Sequence, residues 1–251
     1  MMSFAEWNTP SDPAADSASV LERIVAILEA VKESGSLSVT ALAVRTDMPK
    51  STVSRLVGEL VQQRYLERTE DGVTLGFRLF ELGARVSLPR RLLTAAAPVI
   101  RELVEVTGER VGLWVHRGTH MISIAAVAGR LPMLPTRAGM RSPALTTASG
   151  KAYLAFCEDR SVVERAAAPL VDDAADQFRD ELSQVRATVV ATDRGVAYPG
   201  ILAVASPVLS ANRVVLGAIS IAGPSGGMDP DQVAPLVRAA GIALTRRLTA
   251  A

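Results

Sequence analysis

The sequence predicts an α+β protein of two domains, a helix-rich N-terminal domain and an antiparallel α+β C-terminal domain. Its 251 residues exceed the usual length of one domain. Helical periodicity and one short hairpin occupy the first third of the chain. Beyond residue 108, hairpins and helices follow one another without the regular strand-helix alternation of a parallel sheet, which favours an antiparallel fold.

Composition limits the classes of function. Apolar residues make up 49% of the chain and charged residues 21%, which is enough for buried cores. No run approaches the roughly 20 apolar residues that span a membrane, and the N-terminus lacks the features of a signal peptide, so we expect a cytoplasmic protein. The single cysteine, Cys157, excludes an intramolecular disulfide. The net charge of +1 does not by itself indicate a nucleic-acid partner.

The N-terminal helices are predicted from apolar spacing and end signals. Residues 1–18 are rich in Ser, Pro, Asp and Ala and predict a mobile tail. A first helix begins near Ser19 and ends at Ser34-Gly35, with an apolar stripe of Val20, Ile24, Ile27, Leu28 and Val31. Ser38 precedes a second, short helix through Thr46.

A third helix and a hairpin complete a winged helix-turn-helix over residues 19–78. The third helix covers residues 49–63, with Pro49 in its first turn. Its inward-facing positions are Val53, Leu56, Val57, Leu60 and Val61. Residues 65–68 and 73–75 then alternate like strands around Asp71-Gly72, a dipeptide typical of tight turns.

The rest of the chain predicts a linker helix at residues 79–94 and a C-terminal domain at residues 95–251. The helical pattern after Leu79 is interrupted by Pro89 and Pro98, which we expect to separate the linker from the next helix. The apolar runs of the C-terminal domain predict strands at residues 111–115, 121–127, 201–209 and 214–221. A last helix is predicted at residues 230–248.

The third helix has the side chains of a DNA recognition helix, which places its N-terminal residues against base edges. Short polar and cationic residues fill its first two turns: Lys50, Ser51, Thr52, Ser54 and Arg55. Such residues also form the solvated face of ordinary surface helices, but their confinement to the third helix of this pattern favours DNA binding. Arg55 suits either guanine or phosphate. Ser38 and Arg68 complete the predicted DNA contacts.

The third helix also carries a specific pattern, Pro49-Lys50-Ser51-Thr52-Val53, one residue, then Arg55-Leu56, with Leu75-Gly76 following the hairpin. This pattern resembles the DNA-binding domain of IclR-type transcriptional regulators. The residue before the arginine is often histidine in that family and is Ser54 here. The resemblance covers about residues 19–249 and implies a regulator that binds double-stranded DNA.

Two segments of the C-terminal half resemble the effector domain of the same family: Thr147-x-x-Gly150-Lys151-Ala152 and Arg194-Gly195-Val196-Ala197. The resemblance implies a GAF/PAS-like antiparallel α+β fold with a pocket for a small metabolite. Gly150-Lys151 lacks the other residues of a P-loop, so nucleotide hydrolysis is not predicted. Thr147, Ala148 and Ser149 either hold a ligand carboxylate at the helix start or simply cap that helix.

Departures from the family pattern predict a less polar pocket. The acidic stretch that commonly follows the glycine-tyrosine-alanine element is missing, because Tyr198-Pro199-Gly200 follows it at once. Ala203 and Ala222 stand at positions that are often polar, whereas Ser220 is retained. We therefore expect an aromatic or branched acyl effector. Trp114 either lines this pocket or packs in the core.

Other classes of function are less well supported. The two histidines, His116 and His120, flank Arg117-Gly118-Thr119, are expected as exposed turn residues, and have neither a nucleophile motif nor a third ligand nearby. No catalytic residue, metal or cofactor is therefore predicted. The alternative to a sensor is a C-terminal domain that only oligomerises.

The expected DNA-binding unit is a homodimer on a palindromic operator, because one recognition helix covers one half-site. Residues 79–86 are the expected dimer contact. Resemblance to the family further implies a dimer of dimers.

Overall fold

A computed structural model describes residues 18–130 and 137–249. The chain divides into two compact units, with the boundary between Val86 and Ser87. The predicted tail lies outside the described residues except for Ala18. The predicted class, a winged helix-turn-helix followed by an antiparallel α+β domain, is confirmed. None of the described helices is long and apolar enough to cross a membrane.

The N-terminal unit packs its helices and hairpin around one apolar core. Its elements are α1 Val20–Ser34, α2 Val39–Arg45, α3 Lys50–Gln62, β1 Leu66–Thr69, β2 Gly72–Leu75 and α4 Phe77–Gly83. A capping box begins α1, where Ser19 Oγ accepts the Glu22 N–H at 3.2 Å and the Glu22 carboxylate accepts the Ser19 N–H at 2.6 Å. The core joins the buried faces of α1, α2, α3 and the hairpin.

The wing hairpin turns one residue earlier than the sequence predicts. Thr69 pairs with Gly72, so Glu70 and Asp71 form the turn and Gly72 begins β2. Gly72 has φ +140, and a Cβ there would lie 2.3 Å from the carbonyl oxygen of Leu37. This glycine is required because the backbone of Leu37 bonds to Val73 at the edge of the hairpin.

Residues 79–94 do not form one linker helix. They fall on the end of α4 and the start of α5 Ser87–Thr107, with residues 84–86 between the two helices. Neither proline divides the segment: Pro89 lies in the first turn of α5, where its missing N–H costs nothing, and Pro98 lies inside the helix. Tertiary packing overrides Pro98, since α5 buries Leu92, Ala96, Val99, Ile100 and Leu103.

The C-terminal unit is built on a six-stranded antiparallel sheet in the order β5-β4-β3-β8-β7-β6. After α5 come β3 Arg110–Arg117, β4 His120–Val127, β5 Arg141–Pro143, α6 Ala148–Ala155, α7 Arg160–Ala167 and α8 Asp173–Thr188. The remaining elements are β6 Ala191–Arg194, β7 Ile201–Leu209, β8 Val215–Pro224 and α9 Pro230–Thr249.

The two faces of this sheet differ in side-chain size. One face carries branched residues such as Leu113, Val204 and Ile219, which pack against α5 and α9. The other face packs against α6, and there alternate residues of β7 and β8 are small: Ala203, Ala205, Ala218, Ser220 and Ala222. This second face, called the α6 face below, carries the predicted effector residues Trp114, Ala203, Ser220 and Ala222. The other three, Thr147, Ala148 and Ser149, lie at the start of α6.

Candidate DNA-binding surface and effector site

The recognition helix sorts its side chains by face as the sequence predicts. Val53, Leu56, Val57 and Leu60 are buried in the core of the N-terminal unit. Lys50, Ser51, Ser54 and Arg55 are exposed, and Thr52 is half-buried. These exposed groups share the first two turns of α3, and their contact with DNA stays a prediction.

The first turn of α3 suits an anionic partner. Pro49 is the N-cap rather than a first-turn residue, it makes no side-chain cap hydrogen bond, and no acidic residue lies in the first turn. The peptide N–H groups there carry partial positive charge beside the Lys50 ammonium. The preceding helix α2 differs, because Ser38 Oγ caps it by accepting the Ala41 N–H at 3.1 Å. Predicted contact Ser38 therefore already has a structural role.

Arg55 has an intrahelical partner that the sequence analysis missed. Its Nη1 lies 2.7 Å from Glu59 Oε1, one turn further along α3. The spacing of four residues is the signal that would have found this pair. Both side chains are more than half exposed, so the pair can exchange its partners for DNA phosphate at small cost. Arg68, the other predicted contact, is exposed on β1.

A row of four residues crosses the α6 face. Strand registers place Asp193 opposite Ala203, Ala203 opposite Ala222, and Ala222 opposite Arg110. The outer two residues are charged and buried, at 3% exposure for Asp193 and 6% for Arg110. The two residues between them are alanines, so the side chains in the middle of the row are small. Neither charged residue was found from the sequence, because their proximity depends on register across four strands.

Asp193 is a buried acid on the α6 face that the sequence analysis did not single out. The family's acidic stretch is missing after Ala197, but Asp193 provides a buried carboxylate two strands from Ala222. That carboxylate accepts the Val196 N–H at 2.8 Å and the Ala197 N–H at 3.3 Å. It therefore stabilises the turn that leads from β6 towards β7.

Trp114, Ser220 and Arg110 come together at the centre of the α6 face. The indole Nε1 of Trp114 donates to Ser220 Oγ at 2.9 Å, and the Arg110 guanidinium carbon lies 5.6 Å from the indole centroid. Burial lowers the pKa of Arg110, and nearby Tyr198 opposes that shift. The hydroxyl of Tyr198 lies 2.9 Å from that of buried Ser142.

The start of α6 shows the capping arrangement. Thr147 Oγ1 accepts the Gly150 N–H at 3.2 Å and donates to the Pro143 carbonyl at 2.7 Å. Ser149 is buried beside Thr147, with 3.4 Å between their hydroxyl oxygens. Ala148 packs in the same core cluster as Trp114 and half-buried Ala203. The buried amine of Lys151 binds the Glu181 carboxylate at 2.6 Å and the Thr192 carbonyl at 3.1 Å, so it fixes α6 to α8 and β6.

His116 is not an exposed turn residue, which corrects the expectation from the sequence. Strands β3 and β4 extend to Arg117 and His120, and only two residues form the turn. The His116 side chain is 8% exposed and stacks on Tyr153 with 4.7 Å between ring centroids. Burial, followed by nearby Arg117, lowers the pKa of His116. Within residues 18–130 and 137–249, no three His, Cys, Asp or Glu side chains gather as metal ligands do.

A winged helix-turn-helix with a polar recognition helix, followed by a separate antiparallel domain, defines the chain as a DNA-binding transcriptional regulator. Two family models identify the family. The IclR helix-turn-helix domain matches residues 20–70, and the bacterial transcriptional regulator IclR C-terminal domain matches residues 88–246. The chain belongs to the IclR family of bacterial transcriptional regulators, as its sequence pattern predicts. Members of this family regulate transcription and are not enzymes.

Similar proteins agree with this assignment over most of the chain. The HTH-type transcriptional regulator KdgR of Escherichia coli is 28% identical, with 87% of each chain covered. The transcriptional repressor IclR of the same species is 27% identical over 88% of this chain and 85% of its own. An IclR homolog from Microbacterium hydrocarbonoxydans, solved in complex with 4-hydroxybenzoate, has a TM-score of 0.82 at 25% identity and covers 93% of this chain and 100% of its own.

Proposed function

We propose that this regulator binds a palindromic operator as a homo-oligomer in the cytoplasm and that its C-terminal unit senses a small aromatic or acyl effector. The observation that carries the sensor assignment is the α6 face itself. It combines a shallow floor of alanines with the buried polar groups of Ser220, Arg110 and Asp193. Because Asp193 also stabilises the turn that leads from β6 towards β7, the sensor assignment depends mainly on Ser220 and Arg110.

An aromatic effector fits this face better than a short hydroxy or keto acid. Burial of an aromatic ring against these alanines would remove its apolar surface from water, a gain of about 25 cal/mol per Å². The Ser220 hydroxyl supplies the polar contact that fixes orientation in such sites. The similar Microbacterium protein binds 4-hydroxybenzoate, which makes that compound the first probe.

Thermal unfolding and calorimetry test the sensor assignment directly. At 100 times its dissociation constant, a ligand stabilises the folded protein by about 2.7 kcal/mol. We expect 4-hydroxybenzoate to raise the melting temperature of the C-terminal unit and to bind more tightly than glyoxylate. We also expect it to change the affinity for operator DNA in a gel-shift titration. Tighter binding of glyoxylate would contradict the chemical preference.

The alternative function is a C-terminal unit that only oligomerises. The hydroxyls of Thr147 and Ser220 already have partners inside the protein, which favours a structural role for both. This alternative predicts operator binding without any response to small molecules. A melting temperature that stays constant across a panel of aromatic and acyl acids would support it.

The homodimer draws support from α4. None of the residues of this helix is buried, and Phe77 and Phe80 are 62% and 66% exposed with 5.2 Å between their ring centroids. Paired aromatic rings in contact with water are typical of an interface. The patch overlaps residues 79–86, the segment that the sequence predicts as the dimer contact, because Phe80 lies in that segment.

A further inference from the structure

We propose that the Trp114 indole is an internal gate of the effector site, which it fills in the ligand-free conformation and leaves when an aromatic effector binds. This inference rests on the proposed sensor function of the α6 face. It adds that the Trp114 indole competes with the effector for Ser220, and it defines the kind of aromatic ring that replaces the indole.

The indole lies back along its own strand. A Cβ built on Gly112 would meet the Trp114 Nε1 at 2.6 Å, so the ring covers Gly112, two residues earlier on β3. A shift in strand register between Leu113 and Trp114 accompanies this arrangement. Gly112 is therefore the residue that leaves space for the ring, and Trp114 is only 5% exposed as a result.

The indole uses the groups that a ligand would use. Gly112 stands opposite Ser220, and the Trp114 Nε1 donates to the Ser220 hydroxyl at 2.9 Å. Arg110 lies 5.6 Å from the indole centroid. Two cavities of about 300 and 360 Å³ lie along α5 and α9, and neither is lined by Trp114 or Ser220. Ser220 is buried and its hydroxyl already accepts the indole N–H, so an external ring that takes over this hydrogen bond displaces the indole.

The position of the indole defines the chemistry of the effector ring that would replace it. Indole is a flat aromatic ring with one hydrogen-bond donor at its edge. The ring that replaces it therefore carries a hydroxyl or N–H donor for the Ser220 oxygen. The small side chains around it, Ala203, Ala205 and Ala218, set a flat floor rather than a deep pocket. A phenol-type ring meets these requirements, and an unsubstituted ring lacks the donor.

A gate lowers the apparent affinity for the effector. When the binding-competent state is only a fraction of the population, the apparent dissociation constant increases by the inverse of that fraction. Removing the hydrogen bond that closes the gate therefore tightens binding. A residue that only forms the wall of a pocket gives the opposite result, because its removal takes away contacts with the ligand. The sign of the change separates the two roles.

The test titrates 4-hydroxybenzoate and benzoate into full-length wild type, Trp114→Phe and Trp114→Ala by calorimetry. Trp114→Phe keeps an aromatic ring but removes the donor, so we expect about two- to tenfold tighter binding of 4-hydroxybenzoate, the range that one hydrogen bond supplies. Benzoate, which lacks the donor for Ser220, should bind more weakly than 4-hydroxybenzoate to both variants. Trp114→Phe decides the result if Trp114→Ala does not fold.

Fluorescence provides an independent readout. The chain has one other tryptophan, Trp7, so in a Trp7→Phe background the emission reports Trp114 alone. Saturation with 4-hydroxybenzoate should shift this emission to the red and increase its quenching by acrylamide. Binding to wild type with unshifted emission, or weaker binding to both variants, overturns the gate and leaves the sensor function intact. Failure of both probes to bind wild type and both variants overturns the gate and the proposed site together.

Discussion

Arg55 is paired with Glu59 on the face of α3 that we predict to contact DNA, so Glu59 and DNA would compete for its guanidinium. We expect Arg55→Ala and Lys50→Ala to weaken operator binding, since both residues are exposed and neither belongs to the core. A lost phosphate contact weakens binding to all sequences and reduces the salt slope by about 1, whereas a lost base contact costs about 1–3 kcal/mol at one position. Gel-shift titrations at several salt concentrations distinguish these outcomes.

Glu59→Gln is the matched variant for this experiment. It retains the shape of the side chain but removes a negative charge beside the expected phosphates and releases Arg55. We expect tighter binding to any duplex and a smaller ratio between operator and scrambled DNA. If none of the three substitutions changes binding, α3 is not the recognition helix.

His116 gives the C-terminal unit a pH dependence. Its folded-state pKa lies below the unfolded value of about 6.5 because of burial and nearby Arg117 and Arg165. The unfolded chain therefore binds the proton more readily than the folded chain. The free energy of unfolding is unaffected by this group above pH 6.5 and decreases as the pH falls through the folded pKa. Urea unfolding between pH 5 and pH 8 should show this loss in wild type.

His116→Phe is expected to reduce that pH dependence. Phenylalanine keeps the stacking on Tyr153, which is 4.7 Å away. It also removes the buried Nε2, which has no hydrogen-bond partner in the described part of the chain. Removing such an atom adds about 1 kcal/mol of stability or more at neutral pH. His120→Phe is the comparison, because burial, followed by nearby Arg141, also lowers the pKa of His120, but this residue is only half-buried. We expect a smaller effect at His120, and an equal effect of both changes would contradict the assignment.

At the scale of elements, sequence reasoning succeeded where the signals are local. The helix-turn-helix was predictable because Ser38 caps α2 and the apolar positions of α3 recur with helical spacing. It failed at α5, where burial of one helix face outweighs the cost of Pro98. It also missed the row from Asp193 to Arg110, which exists only once β6, β7, β8 and β3 are in register. No spacing along the chain encodes that row.

The first turn of α6, where Gly150 packs against the preceding segment, is where the smallest change should have a large effect. A Cβ on Gly150 would lie 2.0 Å from the Ala144 carbonyl oxygen. This neighbour is a backbone atom, which cannot move aside as the end of a flexible side chain can. We expect Gly150→Ala to destabilise the C-terminal unit by about 1–3 kcal/mol or more. Gly226→Ala, with nothing within 4 Å of the added Cβ, should leave stability unchanged. Calorimetric unfolding of both variants measures the difference.

At the scale of the whole molecule, operator recognition depends on how many copies of α3 act together. One winged helix-turn-helix contacts one half-site, and affinity for a palindrome comes from two half-sites bound by one assembly. The exposed ring pair of α4, Phe77 and Phe80, is the surface we expect to join two copies. Both rings lie outside the core of the N-terminal unit, so polar substitutions there should separate the copies without unfolding them.

We therefore expect Phe77→Ser combined with Phe80→Ser to convert the proposed dimer to a monomer in light scattering at micromolar concentration. For a dimer of dimers, the same double variant should reduce the measured mass. Affinity for a palindromic operator should fall by about 100-fold, the lower end of the gain that linking two sites supplies. Affinity for a single half-site should be unchanged, because α3 is intact. Val171→Ser, which alters an apolar residue that is 72% exposed in the C-terminal unit, is the control for general loss of surface hydrophobicity. A double variant that keeps both the wild-type mass and full affinity for the palindrome would place the dimer contact elsewhere.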